Sequence, residues 1–154
     1  MAAYFFDSSA IVKRYVSEIG TAWVIRTVDP ATSNRVYVAR ITGAEVVSAI
    51  TRQGRSGSLS TTDAASAIGQ FRHDFVNEYR VIEISVALID RAMSLAETYA
   101  LRGYDAVQLA AALEVNTRRL ASGMSALTLV SADAALNAVA AAESLPVEDP
   151  NAHP

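Results

Sequence analysis

Four acidic residues fall where alternating strands and helices would bring them together. Asp7 closes the aromatic run Tyr4-Phe5-Phe6, and Asp133 follows the apolar run 126–131. In a parallel sheet both stand at the carboxyl edge, where open α/β folds place ligands. Glu45 lies in the first turn or so of a helix that leaves a second strand at that edge. Asp105 opens a nearly apolar helical segment, 106–115; another helix precedes it, so strand direction alone does not assign its edge. Carboxylates crowded at one edge repel each other unless a cation neutralises them. Oxygen-only ligands with open positions suit Mg2+, or Mn2+ in its place, rather than zinc. An ion so held polarises a phosphoryl oxygen and activates water for in-line attack.

Each acid also has a structural role open to it. Aspartate is favoured at helix N-caps, and a negative charge near a helix start complements the dipole. Glutamate is a good helix former, but Ala44-Glu45-Val46-Val47 gives Glu45 apolar neighbours, and a buried charge needs a partner. No competing machinery is present. The chain has no cysteine, no phosphate-binding G-x-x-x-x-G-K-[ST] loop and no G-x-S-x-G elbow. His73 stands alone on an amphipathic segment and His153 lies near the C-terminus, with no second histidine at ligand spacing.

The elements that must position these residues follow from apolar patterning. Strands are expected at Tyr4–Phe6, Arg35–Ala39, Arg80–Ile84, Ala126–Ser131 and, as an edge strand tolerating Pro146, Leu145–Asp149. Gly54–Ser60 reads as a loop. The helix after Thr62-Asp63 places Ala64, Ile68, Phe71, Phe75 and Tyr79 on one stripe; the one after Ser85 turns Val86, Ile89, Met93, Ala96 and Ala100 inward. The alanine-rich helix over Asp105–Val115 is expected to be central. Strands separated by helices imply an α/β fold, a parallel sheet covered on both faces. Its 154 residues suit one domain over 1–150 with a tail at 151–154.

Composition narrows the class. Hydrophobic residues make up 51% and charged residues 19%, which excludes a disordered chain. No apolar run reaches the ~18 residues that span a bilayer. The N-terminus meets Asp7 too early for a secretory signal, so a cytoplasmic location is expected, although zero cysteines fits any compartment. The net charge of −3 is not that of a general nucleic-acid binder.

The run Tyr4-Phe5-Phe6-Asp7-Ser8-Ser9-Ala10-Ile11-Val12-Lys13-Arg14-Tyr15, then Ala44-Glu45-Val46, then Leu101-Arg102-Gly103-Tyr104-Asp105-Ala106-Val107-Gln108-Leu109-Ala110, and last Val130-Ser131-Ala132-Asp133 with Leu136-Asn137 behind it, resemble the motifs of PIN domains in family order. The likeness is greatest to the VapC-type toxins of bacterial toxin–antitoxin pairs. It implies a PIN-like three-layer fold with a mostly parallel five-stranded sheet in order 3-2-1-4-5. It implies Mg2+-dependent cleavage of RNA, with Asp7 and Asp105 as principal metal ligands and Glu45 and Asp133 acting through water or on a second ion. Ser9 matches a hydroxyl position that orients the first aspartate, and Ser131 is expected to act similarly near Asp133. A cognate VapB-type antitoxin and a homodimer are also implied.

Lys13, Arg14, Arg40 and Arg102 lie near the acids in sequence and are candidate RNA contacts, though basic residues at helix ends are also common surface cations. The alternative is a catalytically silent PIN-fold interaction module. A phospho-receiver or haloacid-type phosphatase is disfavoured: serines follow Asp7, and Pro146–Pro150 holds no lysine.

Overall fold

A computed structural model describes all residues, 1–154. Five parallel strands form one sheet in the order β3-β2-β1-β4-β5: β1 Ala3–Phe6, β2 Arg35–Ala39, β3 Arg80–Ile82, β4 Thr128–Val130 and β5 Val147–Glu148. The order agrees with the expected one, and the sheet is parallel throughout rather than mostly so. Seven helices link the strands: α1 Ser8–Ile11, α2 Thr21–Val28, α3 Thr42–Ser56, α4 Thr61–Asn77, α5 Val86–Tyr99, α6 Gly103–Ala121 and α7 Ala134–Ala142.

The pleat sorts β1 between two cores. Ala3 and Phe5 point into one, shared with α5, α6 and α7; Phe6 points into the other, shared with α1 to α4. Leu129 and Val130 of β4 divide in the same way. Successive strand side chains alternate faces, so an all-apolar strand is what a sheet covered on both sides requires. The central helix is α6, where Ala106, Ala110, Ala111 and Ala112 are buried. Their small side chains let it lie close to the sheet and to α5.

Three expectations need correction. In α5 the buried residues are Leu88, Ala92 and Leu95, while Val86 and Met93 stay 81% and 65% exposed. Two apolar stripes share this helix. The fold buries the one opposite Asp90 and Glu97, so the charges mark the outer face better than apolar spacing does. Gly54 lies inside α3 rather than in a loop; a Cβ there would come 2.9 Å from the Ala64 Cβ of α4, so glycine permits that helix contact. The strand expected at 126–131 is paired only over 128–130, with Leu127 buried beside it.

Residues 150–152 form a 3-10 turn that packs on α2. Gly20, at φ +87°, meets it so closely that a Cβ would sit 2.2 Å from the Pro150 carbonyl oxygen. The His153 ring stacks on Trp23 with centroids 4.6 Å apart, and its Nε2 donates to the Glu148 carboxylate at 2.9 Å. No helix is long and apolar enough to cross a membrane.

Candidate active site

Asp7 ends β1 and caps α1. Its Oδ1 accepts from the Ala10 amide at 3.0 Å and from the Ser9 hydroxyl at 2.7 Å, and its Oδ2 accepts from the Ser131 hydroxyl at 2.7 Å. Ser131 follows β4, the neighbour of β1, so the sheet order itself brings this hydroxyl to Asp7. The same Ser131 oxygen accepts from the Asp133 amide at 3.1 Å, and Ser9 accepts from the Ala132 amide at 3.0 Å. The two serines thus fasten the ends of β1 and β4 to each other around one carboxylate. Asp133 caps α7, its Oδ1 accepting from the Leu136 amide at 3.0 Å. Asn137, one turn on, donates to the Ser131 carbonyl at 2.8 Å.

Asp105 stands in the first turn of α6 and joins this edge. Asp7 is only 3% exposed. Burial raises its pKa to about 6, against the pull of the Ser9, Ser131 and Ala10 hydrogen bonds and with a further push from the Asp105 charge. Burial also raises the pKa of Asp105, as does the charge of Asp133, while Arg102 opposes both. None of the four acids forms an ion pair with a lysine, arginine or histidine. Asp7, Asp105 and Asp133 therefore make a run of interacting negative charges that no ion pair closes and that only Arg102, beside Asp105, offsets in part.

Glu45, in the first turn of α3, faces a groove of about 770 Å³ with Ser8, Ser9, Ser48, Arg52 and Tyr104 on its walls. Its Oε1 accepts from the Gln108 amide at 2.7 Å. The groove continues past Ile41 and Tyr104 into an apolar trough of about 470 Å³ between α5 and α6.

The donor set fits a hard divalent cation, with one qualification of geometry. No three of the acidic and histidine side chains converge, as placed, closely enough to enclose a metal ion. Yet a carboxylate offers about four lone-pair sites, and the three bonds to Asp7 leave one, on Oδ2. Asp133 uses only Oδ1 for its cap, and Gln108 engages only Oε1 of Glu45. Oxygen donors with open positions and uncompensated charge are what Mg2+ or Mn2+ requires.

The cations expected near RNA divide. Lys13 is buried and pairs with Glu18 at 3.0 Å. Arg14 turns away to Glu78 and the Tyr79 hydroxyl, both at 2.8 Å. Arg40 pairs with Glu83 and lies over the Phe75 ring. Each finds a local partner that sequence proximity to the acids did not disclose. Arg102 stays beside Asp105. Arg52, which the motifs did not single out, lines the groove. Gln108 was also missed as a site residue; its signal is a polar side chain inside the apolar segment 106–115, one turn after Asp105.

The sequence matches the PIN domain family over residues 4–142. The chain belongs to the PIN domain family. Within it, this PIN domain is 32% identical over 115 residues to Ribonuclease VapC45 of Mycobacterium tuberculosis, covering 75% of the chain and 78% of that protein. Among solved structures, PAE2754 of Pyrobaculum aerophilum matches with a TM-score of 0.64 at 18% identity, over 98% of this chain and 85% of that one. The Rickettsia felis VapBC2 complex bound to a DNA fragment from their promoter matches at TM-score 0.62 and 16% identity, over 96% and 98%. The likeness to the two structures is one of fold; the kinship with VapC ribonucleases rests on the sequence.

Proposed function

We propose that this PIN domain is a Mg2+-dependent endoribonuclease of a toxin–antitoxin pair, acting in the cytoplasm and neutralised by a cognate VapB-type antitoxin. The observation that carries the reading is Asp7: a buried carboxylate beside Asp105 and Asp133, with no cationic partner in the protein. The kinship with VapC ribonucleases supplies the substrate class.

Asp7 and Asp105 would be the principal ligands, and Glu45 and Asp133 would hold the ion through water or take a second one. When bound, Mg2+ or Mn2+ would supply positive charge against the phosphoryl oxygens and lower the pKa of water. Ser9, Ser131 and the Ala10 amide fix Asp7 before any ligand arrives, so little reorganisation accompanies binding. One of the four carboxylates accepts the proton of the attacking water. Arg52 in the groove and Arg102 at the start of α6 are the cations placed to meet RNA phosphates. The chain works as a homodimer.

The test is cleavage of total cellular RNA with mapped ends, by wild type, Asp7→Asn and Asp105→Asn, with and without chelator. Cleavage is expected only from wild type with free Mg2+. Activity persisting in excess chelator or in Asp7→Asn would overturn the reading. Antitoxin binding without any metal-dependent cleavage would make the chain an interaction module instead.

A further inference from the structure

Gln108 is 1% exposed and stands in the buried stretch of the central helix α6, between Val107 and Leu109. Its Nε2 spends both protons, on Glu45 Oε1 at 2.7 Å and Thr42 Oγ1 at 2.9 Å. Its Oε1 is buried with no hydrogen-bond partner. The amide orientation follows from Glu45: reversed, the carbonyl would face a carboxylate and leave two N–H groups unpaired. A buried carbonyl without a partner is destabilising, and a leucine or methionine would fill the same space without that cost. A core position that keeps a half-satisfied amide therefore calls for a reason outside packing.

The surroundings supply one. Gln108 follows Asp105 by one helical turn, on the same face of α6. It is the hydrogen-bond partner of the Glu45 side chain, which comes from α3 on the opposite side of the sheet. The amide thus ties the carboxylate of one layer to the helix that carries another. With Oε1 of Glu45 held, the rotation of that side chain is restricted and its second oxygen is left for another ligand.

We propose that Gln108 is a positioning residue that aligns Glu45 for the divalent cation, its effect on metal affinity passing entirely through Glu45. The inference rests on the metal-dependent reading above.

Mn2+ titrated calorimetrically into wild type, Gln108→Met, Glu45→Gln and the double variant tests it, alongside cleavage kinetics and NMR of the Gln108 side-chain amide. Partners that orient metal ligands are commonly worth 10–100-fold in affinity. Gln108→Met is expected to bind Mn2+ roughly tenfold more weakly, with kcat lowered and KM little changed, and the double variant is expected to bind no more weakly than Glu45→Gln. The Gln108 amide protons are expected to exchange slowly in wild type and to shift in Glu45→Gln. Should Gln108→Met fail to fold, Gln108→Asn, too short to reach Glu45, carries the same expectation. Unchanged Mn2+ affinity in the Gln108 variant, additive losses in the double variant, or an amide signal indifferent to Glu45→Gln would each overturn the proposal. Wild type that neither binds Mn2+ nor cleaves RNA would instead sink the nuclease reading, and the amide signal alone would then decide whether Gln108 holds Glu45.

Discussion

Asp7 and Asp74 are both removed from water, yet the protein surrounds them differently. Asp74, near the end of α4, accepts from the Tyr15 hydroxyl and the Gln70 amide, each at 2.8 Å, and lies 3.4 Å from the Arg14 guanidinium. Arg14 in turn binds Glu78 and stands 5.7 Å over the rings of Tyr15 and Tyr79, whose hydroxyls are hydrogen-bonded to each other. This closed network joins the turn after α1 to the end of α4. Asp7 receives hydrogen bonds as good, but from neutral groups only, and its charged neighbour is another acid. One aspartate finds its counter-charge inside the fold and holds it together. The other finds no ion-pair partner there.

The sharpest way to break this contrast is to remove each carboxylate and measure stability. Asp74→Ala takes the buried counter-charge from Arg14 and leaves the Tyr15 hydroxyl and the Gln70 amide without their acceptor. Breaking a buried ion pair in this way typically costs about 3–5 kcal/mol, so denaturant unfolding should show a loss of that order. Asp7→Asn should do the opposite. A pKa raised to about 6 from 3.8 means that ionised Asp7 costs the metal-free fold about 3 kcal/mol at neutral pH. The folded state holds the proton more tightly than the unfolded chain, so the favourable contribution is full below pH ~4 and lost as pH rises to ~6. Without metal, wild type should lose stability relative to Asp7→Asn across that window, read from paired melts at several pH values. Equal slopes would remove the basis for treating the two aspartates as different.

A smaller effect sharpens the same contrast. Mg2+ at about a hundred times its dissociation constant should stabilise wild type by about 2.7 kcal/mol and leave Asp7→Asn unmoved, while Gln70→Leu, which touches only the Asp74 network, should respond to Mg2+ as wild type does. Smaller still is the expected effect of Arg102→Glu and Arg52→Glu on RNA. Each should weaken binding and reduce the dependence of affinity on salt by about one phosphate contact, whereas Lys13 is already committed to Glu18.

The sheet and the positions of Asp7 and Asp133 were legible because strand ends and helix caps leave local marks. An aromatic run stopped by Asp7-Ser8-Ser9, and an apolar run followed by Asp133, fix both residues at one edge once the strands are parallel. Asp105 needed the fold, since its helix follows another helix and only packing decides which edge it meets. Arg14 shows the limit of proximity along the chain. It lies close to Asp7 in sequence, but its partners Asp74, Glu78 and Tyr79 come from α4 and the residues just after it, and nothing local announces them. The same holds for Gln108 and Glu45, whose bond spans 63 residues and two layers. In α5 Asp90 and Glu97 mark the exposed side, but a second apolar stripe of Val86, Ile89 and Met93 competes with the buried one of Leu88, Ala92 and Leu95.

The central claim is that Asp7 awaits an external cation. Calorimetric titration of Mn2+ into metal-free wild type and Asp7→Asn tests it without any substrate. Saturable binding by wild type, with protons released as Asp7 ionises, and none by Asp7→Asn is the expected result. Equal binding by the two proteins, or no binding by wild type, would contradict it.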